Sequence, residues 1–309
     1  MINFCSYFDK NYLSRFLVLK DSIDVFKPEY NYFVLALDNF VEDFFQKQKI
    51  KNIQVISLKD LEQEYKDLII AKNNRDLIEY YFTLSPFLPI YIFEKFKSTN
   101  LIYVDSDFFF YKDPIQFSNQ NINSSVTLVK QNANLKYGIF NVGLIQFNFN
   151  FSETYKILKI WSQECLNSCT DKVDLKNNVY AEQKYLDKWI FELKNLKILS
   201  PECSVLSPWD SNQVIEKNIN NILAFHFHGF LYKNNFFYSG FSNYNKSLSE
   251  KILNNIYIPY SRKIFSKSEE YNLNINSIRN LSDKSFIKLR KIKSLVKKII
   301  FNDNYKFKE

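Results

Sequence analysis

Short apolar runs alternate with stretches of helical period over the first two-thirds of the chain. Residues 2–7, 32–37 (YFVLAL) and 53–58 (IQVISL) read as buried strands. Within residues 11–26, Leu13, Phe16, Leu17 and Ile23 fall near helical spacing. Residues 77–96 also have a helical period, but Pro86 and Pro89 must break or kink that helix. The short strand 101–104 (LIYV) runs straight into acidic residues, and further strands fall at 126–130, 142–148 and 222–228 (ILAFHFH). Ser152 is placed to cap a helix carrying Leu158, Trp161, Cys165 and Cys169 on one stripe, and a second helix covers 182–193. This alternation predicts an α/β domain with helices on both faces of its sheet. From residue 261 the pattern loosens. The division expected is a domain over 1–260, an irregular linker over 261–283 and a tail over 284–309. In the tail Phe286, Leu289, Ile292, Val296 and Ile299 recur at helical spacing.

Composition narrows the picture. Of 309 residues, 46% are hydrophobic and 24% charged, which suits a folded chain with a core that needs no disulfides. There are 31 Phe and 21 Tyr but just 4 Gly, so each glycine is expected to have a backbone reason. The net charge of +8 is concentrated. Lys284, Lys288, Arg290, Lys291, Lys293, Lys297 and Lys298 fall within 284–300, where there is no acid. The basic balance therefore belongs to the tail, which argues against nucleic acid as a partner of the folded body. Cys5, Cys165, Cys169 and Cys203 include no C-x-x-C pair, which argues against structural zinc. Residues 1–5 lack the pattern of a signal peptide, and no apolar run approaches the ~18 residues of a membrane span. The chain reads as cytosolic with reduced thiols. The absence of G-x-G-x-x-G and of G-x-x-x-x-G-K-[ST] counts against Rossmann dehydrogenases and P-loop NTPases.

Four constellations could carry chemistry. Asp105-Ser106-Asp107 follows a buried strand, and carboxylates at i and i+2 point the same way where a strand continues. At the carboxyl end of such a strand they meet the crevice where α/β folds bind ligands. Two hard oxygens there suit Mg²⁺ or Mn²⁺, though most D-x-D tripeptides are solvated turns. His226 and His228, the two histidines of the chain, stand two apart on one apparent strand beside Gly229. An imidazole can complete such a metal site; the alternative is a pair of hydrogen-bonded core histidines. Gly138 and Gly143 frame Asn141, either at a ligand or at an ordinary turn. Glu182 and Gln183 open the helix expected over 182–193, where pattern alone favours a solvated first turn.

Together these stretches resemble nucleotide-sugar glycosyltransferases of the GT-A fold, and among them the retaining glycosyltransferase family 8, over roughly residues 1–235. Longer phrases around 11–15, 82–86, 182–189 and 225–230 also resemble a group of uncharacterised bacterial relatives. The resemblance implies a GT-A mixed sheet flanked by helices. It implies that Asp9, Asn11 and Tyr12, with Ser6 in the same segment, hold the uridine and ribose of a UDP-sugar. Asp105, Asp107 and His226 would hold Mn²⁺ or Mg²⁺. Asn141, Glu182 and Gln183 would face the donor sugar, with Gln183 on its reacting face, while Asp105, Gly229 and His228 line the donor site. No Lys-Pro-Trp follows Gly229, Lys233 is one residue late for the family's phosphate-binding lysine, and Glu182 stands where the family has Asp. Nor is there a nucleotide-contacting arginine near Tyr81–Leu84, where Thr83 stands instead.

The activity implied is a metal-dependent, retaining transfer of a hexose to a glycan or lipid-linked glycan in cell-surface polysaccharide assembly. The tail, an amphipathic basic helix, would attach the protein peripherally to the anionic cytoplasmic face of the inner membrane. The alternatives are a non-catalytic nucleotide-sugar-binding module and, lower, a sugar nucleotidyltransferase, whose usual glycine-rich N-terminal loop has no counterpart in residues 4–12.

Overall fold

In the computed structural model, residues 2–200, 205–233, 236–273 and 304–306 are described. The chain divides into two compact units: residues 1–10, 27–106 and 113–201 form the first, and residues 11–26, 107–112 and 202–309 the second.

The strands are β1 (Ile2–Phe8), β2 (Tyr30–Ala36), β3 (Ile53–Ser57), β4 (Asn100–Val104), β5 (Phe108–Phe110), β6 (Val126–Lys130), β7 (Phe140–Asn148), β8 (Leu196–Leu199), β9 (Val205–Leu206), β10 (Ala224–His226), β11 (Leu231–Lys233), β12 (Phe236–Tyr238) and β13 (Asn304–Lys306). The first unit is built on a seven-stranded sheet in the order β3-β2-β1-β4-β7-β6-β8. The pairs β1–β2, β1–β4, β2–β3 and β6–β8 are parallel, and β7 runs antiparallel to β4 and β6. All nine residues of β7 are buried, so both sheet faces are covered, as the apolar runs predict for a helix-flanked sheet.

Helix boundaries follow local chemistry. Residues 77–96 split into Leu77–Thr83 and Phe87–Phe96. Pro86 precedes the second helix and Pro89 lies in its first turn, where a missing N–H costs no intrahelical bond. The helix Ser152–Asn167 starts one residue earlier than a Ser152 cap requires: Phe151 is the cap residue and makes no side-chain capping bond. Cys169 lies past the end of that helix, although it is buried. Over 182–193 the chain forms a 3₁₀ segment, Gln183–Lys188, and then the short helix Trp189–Glu192. Helices ending at Gln48 and Phe96 close on Lys49 and Lys97 at positive φ, where glycine is the commoner choice.

In the second unit the helix Leu13–Asp24 is buried along most of its length. β10 pairs antiparallel with β5 and parallel with β9, while β11, β12 and β13 form a separate antiparallel sheet. Two boundaries differ from the sequence reading. The linker expected from residue 261 is, as far as Glu270, a helix, Ile258–Glu270. Its Tyr260, Ser261, Ile264 and Ser268 are buried, a spacing diluted in sequence by small polar residues that hydrogen-bond their own backbone. The end of the expected tail is not helical at 304–306: β13 pairs with β12, the Tyr305 ring stacks on Phe237, and its hydroxyl meets that of Ser261 at 2.7 Å. The amphipathic helix expected within 284–300 lies outside the described residues. No helix among the described residues is long and apolar enough to cross a membrane.

Candidate active site

In the first unit the strand order reverses at β1, whose neighbours are β2 on one side and β4 on the other. The carboxyl ends of such adjacent parallel strands form the crevice where open α/β sheets bind ligands. β1 leads there into Asp9, and β4 into Asp105. A backbone chain fixes Asp105. Its N–H donates to the Gly143 carbonyl at 2.9 Å, and the Gly143 N–H donates to Asn141 Oδ1 at 2.8 Å. The Tyr103 hydroxyl, two residues back on the same face, donates to Asp105 Oδ1 at 2.8 Å. Burial, then the Asp105 charge, hold the Tyr103 hydroxyl well above its ordinary pKa, so it stays a donor. Tyr7 packs against Tyr103 at 5.8 Å and shares a 2.9 Å hydrogen bond with Ser85. Its pKa is raised by burial and then by the charges of Glu182 and Asp105.

Glu182 follows Ala181, a non-glycine residue at φ +46°. Trp161 Nε1 donates to the Glu182 carbonyl at 2.9 Å. The residue is 7% exposed and its side-chain Oε2 is buried without a hydrogen-bond partner. Burial, with a smaller contribution from Asp105, pushes the carboxyl pKa up to about 8. Gln183 Nε2 donates to the Tyr137 carbonyl at 2.6 Å. Ser6 corrects an expectation: it is fully buried, its hydroxyl between that of Tyr32 and the Val104 carbonyl. It ties β1 to its neighbouring strands and is not open to a nucleotide. Arg75, the arginine nearest Thr83, donates to the Thr83 hydroxyl and to the carbonyls of Cys165 and Leu166, so it is engaged in packing.

In the second unit the antiparallel β5–β10 register sets His226 opposite Phe108, and the Phe227 N–H donates to the Asp107 carbonyl at 2.9 Å. His226 Nε2 comes to 3.2 Å from Asp107 Oδ1. The Phe108 ring stacks on the imidazole at 4.4 Å, and Trp209 meets its edge at 5.4 Å. Burial alone would raise the Asp107 pKa, but His226, then His228 and Arg15, hold it at about 2. His228 is different. β10 stops at His226, and His228 is exposed beyond it, its Nδ1 2.7 Å from the Tyr244 hydroxyl. The sequence reading put both histidines on one strand and one side; the strand ends between them. Gly229 has φ +79° and Gly240 φ +90°, and they pack backbone to backbone. A Cβ on Gly240 would lie 2.4 Å from the His228 carbonyl. Arg15 donates to the carbonyls of Asn11 and Phe230 and covers the Tyr12 ring at 4.4 Å, fixing the Asn11-Tyr12 pair beside the turn after His226.

Asp105 and Asp107 flank one residue, so the backbone itself keeps them together. With His226 they offer three ligand atoms within 4.8 Å of one another. Two carboxylates and an imidazole fit a divalent cation of the Mn²⁺ or Mg²⁺ kind. Sequence reasoning missed Tyr103, Arg15 and Trp209. Tyr103 was findable, since strand alternation puts i and i+2 on one face. Arg15 and Trp209 join the site through long-range packing and carry no local signal.

The architecture is that of a GT-A glycosyltransferase, as the resemblance implied. Mouse xyloside xylosyltransferase 1 superposes with a TM-score of 0.52 at 11% identity, covering 74% of this chain and 98% of that one. The glycosyltransferase GlyE of Streptococcus pneumoniae TIGR4 gives 0.50 at 11% identity, covering 90% of this chain and 66% of its own. The bifunctional glycosyltransferase WbbM gives 0.50 at 14%, over 86% of this chain and 51% of its own. Two uncharacterized proteins of Bacillus subtilis (strain 168) are similar in sequence. YfnD is 23% identical over 205 residues, 64% of this chain and 65% of its own length, just under two thirds. YfnF is 23% identical over 256 residues, 74% of this chain and 81% of its own. No family model matches the chain.

Proposed function

We propose that this protein is a metal-dependent glycosyltransferase that moves a hexose, with retention, from a UDP-linked sugar to a hydroxyl of a glycan or lipid-linked glycan. One observation carries the reading: Asp105, Asp107 and His226 gather three ligand atoms on a glycosyltransferase fold. Their role is to hold Mn²⁺ or Mg²⁺. A divalent cation in that place neutralises charge building on a leaving diphosphate. Asp9, Asn11 and Tyr12 hold the nucleoside, and Gly229 and His228 border the diphosphate. Asn141, Glu182 and Gln183 face the donor sugar. Glu182 keeps its proton near neutral pH and donates it in a hydrogen bond to a sugar hydroxyl, and Gln183 lies on the reacting face. The seven cations of 284–300 support attachment to the anionic cytoplasmic face of the inner membrane, near a lipid-linked acceptor in polysaccharide assembly.

The test is a mass-spectrometric screen of sugar nucleotides for metal-dependent hydrolysis, with calorimetry of UDP and Mn²⁺ alongside. Turnover by the wild type, lost in Asp105→Ala and Asp107→Ala with the fold intact, supports the reading. Full activity in either variant or in excess chelator defeats it. The second reading is a non-catalytic nucleotide-sugar-binding module. It is favoured by the segment after Gly229, where β11 stands in place of a Lys-Pro-Trp sequence. UDP–Mn²⁺ binding without turnover of any donor selects it.

A further inference from the structure

The turn over residues 135–139 has its backbone polar groups held by side chains from one short 3₁₀ segment. Lys184 Nζ donates to the Leu135 carbonyl at 2.8 Å, and Gln183 Nε2 to the Tyr137 carbonyl at 2.6 Å. The Ile139 N–H donates to Asp187 Oδ1 at 2.6 Å. The other oxygen of Asp187 pairs with Lys184 Nζ at 2.7 Å, so one carboxylate joins the turn to the cation that also grips it. The pair is sheltered: the Lys184 side chain is 12% exposed and that of Asp187 16%. From the other side Gln131 completes the hold, its Nε2 donating to the Gly138 carbonyl and its N–H to the Ile139 carbonyl, each at 2.9 Å. Gly138, at φ +110°, allows the close approach. A Cβ there would meet Asp187 Oδ1 at 3.4 Å and Gln183 Cγ at 3.5 Å.

We infer that Asp187 is a positioning residue, which locks the 135–139 turn and through it sets the side chains of Gln183 and Asn141. The inference rests on the function proposed above, in which those two residues face the donor sugar. The two are coupled to the turn in different ways. Gln183 spends one amide donor on the Tyr137 carbonyl, which directs the rest of its amide. Asn141 lies two residues after Ile139, at the start of β7, and accepts from the Gly143 N–H. The Asp187–Ile139 bond therefore joins the segment that carries Gln183 to the strand that carries Asn141. Without it a half-buried N–H loses its acceptor, a sheltered ammonium loses its counter-charge, and the turn is free to shift. A misplacement of about 1 Å among groups that position a reacting centre lowers rate about a hundredfold, without a matching change in affinity.

The experiment compares wild type, Asp187→Ala, Asp187→Asn and Lys184→Met in kcat and KM for donor hydrolysis. Hydrogen exchange over residues 135–141 is measured in parallel. Asp187→Ala is expected to lower kcat by about tenfold or more while donor KM stays within about twofold. Its 135–141 amides should exchange faster. Asp187→Asn keeps an acceptor for Ile139 and should retain most of kcat. Lys184→Met, which leaves Asp187 on Ile139, should fall between them, and with Asp187→Asn it decides the matter if Asp187→Ala does not fold. A kcat within about twofold of wild type in Asp187→Ala, or a loss confined to KM, overturns the inference but leaves the proposed function standing. So does equal loss in the Asn and Ala variants. Absence of donor turnover in the wild type defeats the proposed function, and this inference with it.

Discussion

The Tyr103 hydroxyl donates a 2.8 Å hydrogen bond to Oδ1 of Asp105, two residues further along the chain. That bond orients one of the three candidate metal ligands, as outer partners of metal ligands commonly do. Tyr103→Phe keeps the ring against Tyr7 and removes the hydroxyl, and with it the bond to Asp105 and the hydroxyl's interaction with Tyr7. We expect it to raise the Mn²⁺ concentration for half-maximal donor turnover by about tenfold, with little change in melting temperature. An unchanged metal requirement would show that Asp105 needs no such support.

The two histidines should separate. His226 Nε2 lies 3.2 Å from Asp107, whereas His228 Nδ1 is engaged with Tyr244. His226→Ala should raise the apparent Mn²⁺ requirement by about tenfold or more, and His228→Ala by clearly less. Metal titrations of both variants check this, and the reverse order would mean that His228 is the ligand.

Glu182 gives the pH dependence of stability a sign. Its pKa rises from 4.5 to about 8 on folding, mainly by burial. Below pH 4.5 both states are protonated and the neutral buried form is fully compatible with the fold. Between those values the unfolded chain releases the proton that the folded chain keeps, so stability falls as pH rises, at up to about 1.4 kcal/mol per pH unit. Glu182→Gln should be flatter over that window than the wild type. Urea unfolding at pH 5 and pH 8 with chelator present checks it; parallel curves for the two proteins would exclude a raised Glu182.

Gly240→Ala should destabilise the second unit by about 2 kcal/mol or more, because its φ of +90° is strained for alanine and the new Cβ meets the His228 carbonyl at 2.4 Å. Gly229→Ala should cost less, since its closest neighbour is the side-chain amide of Asn243, which can move. Thermal melts rank the two, and a Gly240→Ala melt equal to wild type would refute the close packing.

The basic segment should bind anionic membranes. The full chain is expected to sediment with anionic vesicles at low salt and not with neutral ones, at about 1 kcal/mol per cation near the surface. Replacing the seven Lys and Arg of 284–300 with Gln should abolish sedimentation. Removing residues from 261 onward is the wrong control, because that cut enters the helix Ile258–Glu270 with its buried Ile264. Equal sedimentation of the Gln variant would end the membrane reading.

The amino-acid sequence by itself determined β1 to β4, β6 and β7 of the first unit and the acid pair at the end of β4, but did not mark the edge strand β8. Buried parallel strands read as continuous apolar runs, and the Asp105–Asp107 spacing is a local property of the backbone. The expectation that glycines this scarce mark constrained backbone holds for three of the four: Gly138, Gly229 and Gly240 have positive φ, whereas Gly143 lies inside β7 and does not. Tertiary structure decided the rest, because the deciding contacts span tens to hundreds of residues. Whether Ser6 faced a ligand depended on Tyr32 and Val104, which close over it. Which histidine reached Asp107 depended on β10 ending at His226, where its pairing with β5 stops. The polar stretch from residue 261 became helix because Tyr260 and Ile264 bury themselves in an apolar cluster with Phe227, Phe230 and Tyr257. Local periodicity records which face of an element is apolar. The partner that covers that face is set by the fold, and at this site the partner decides which polar atoms remain open to a ligand.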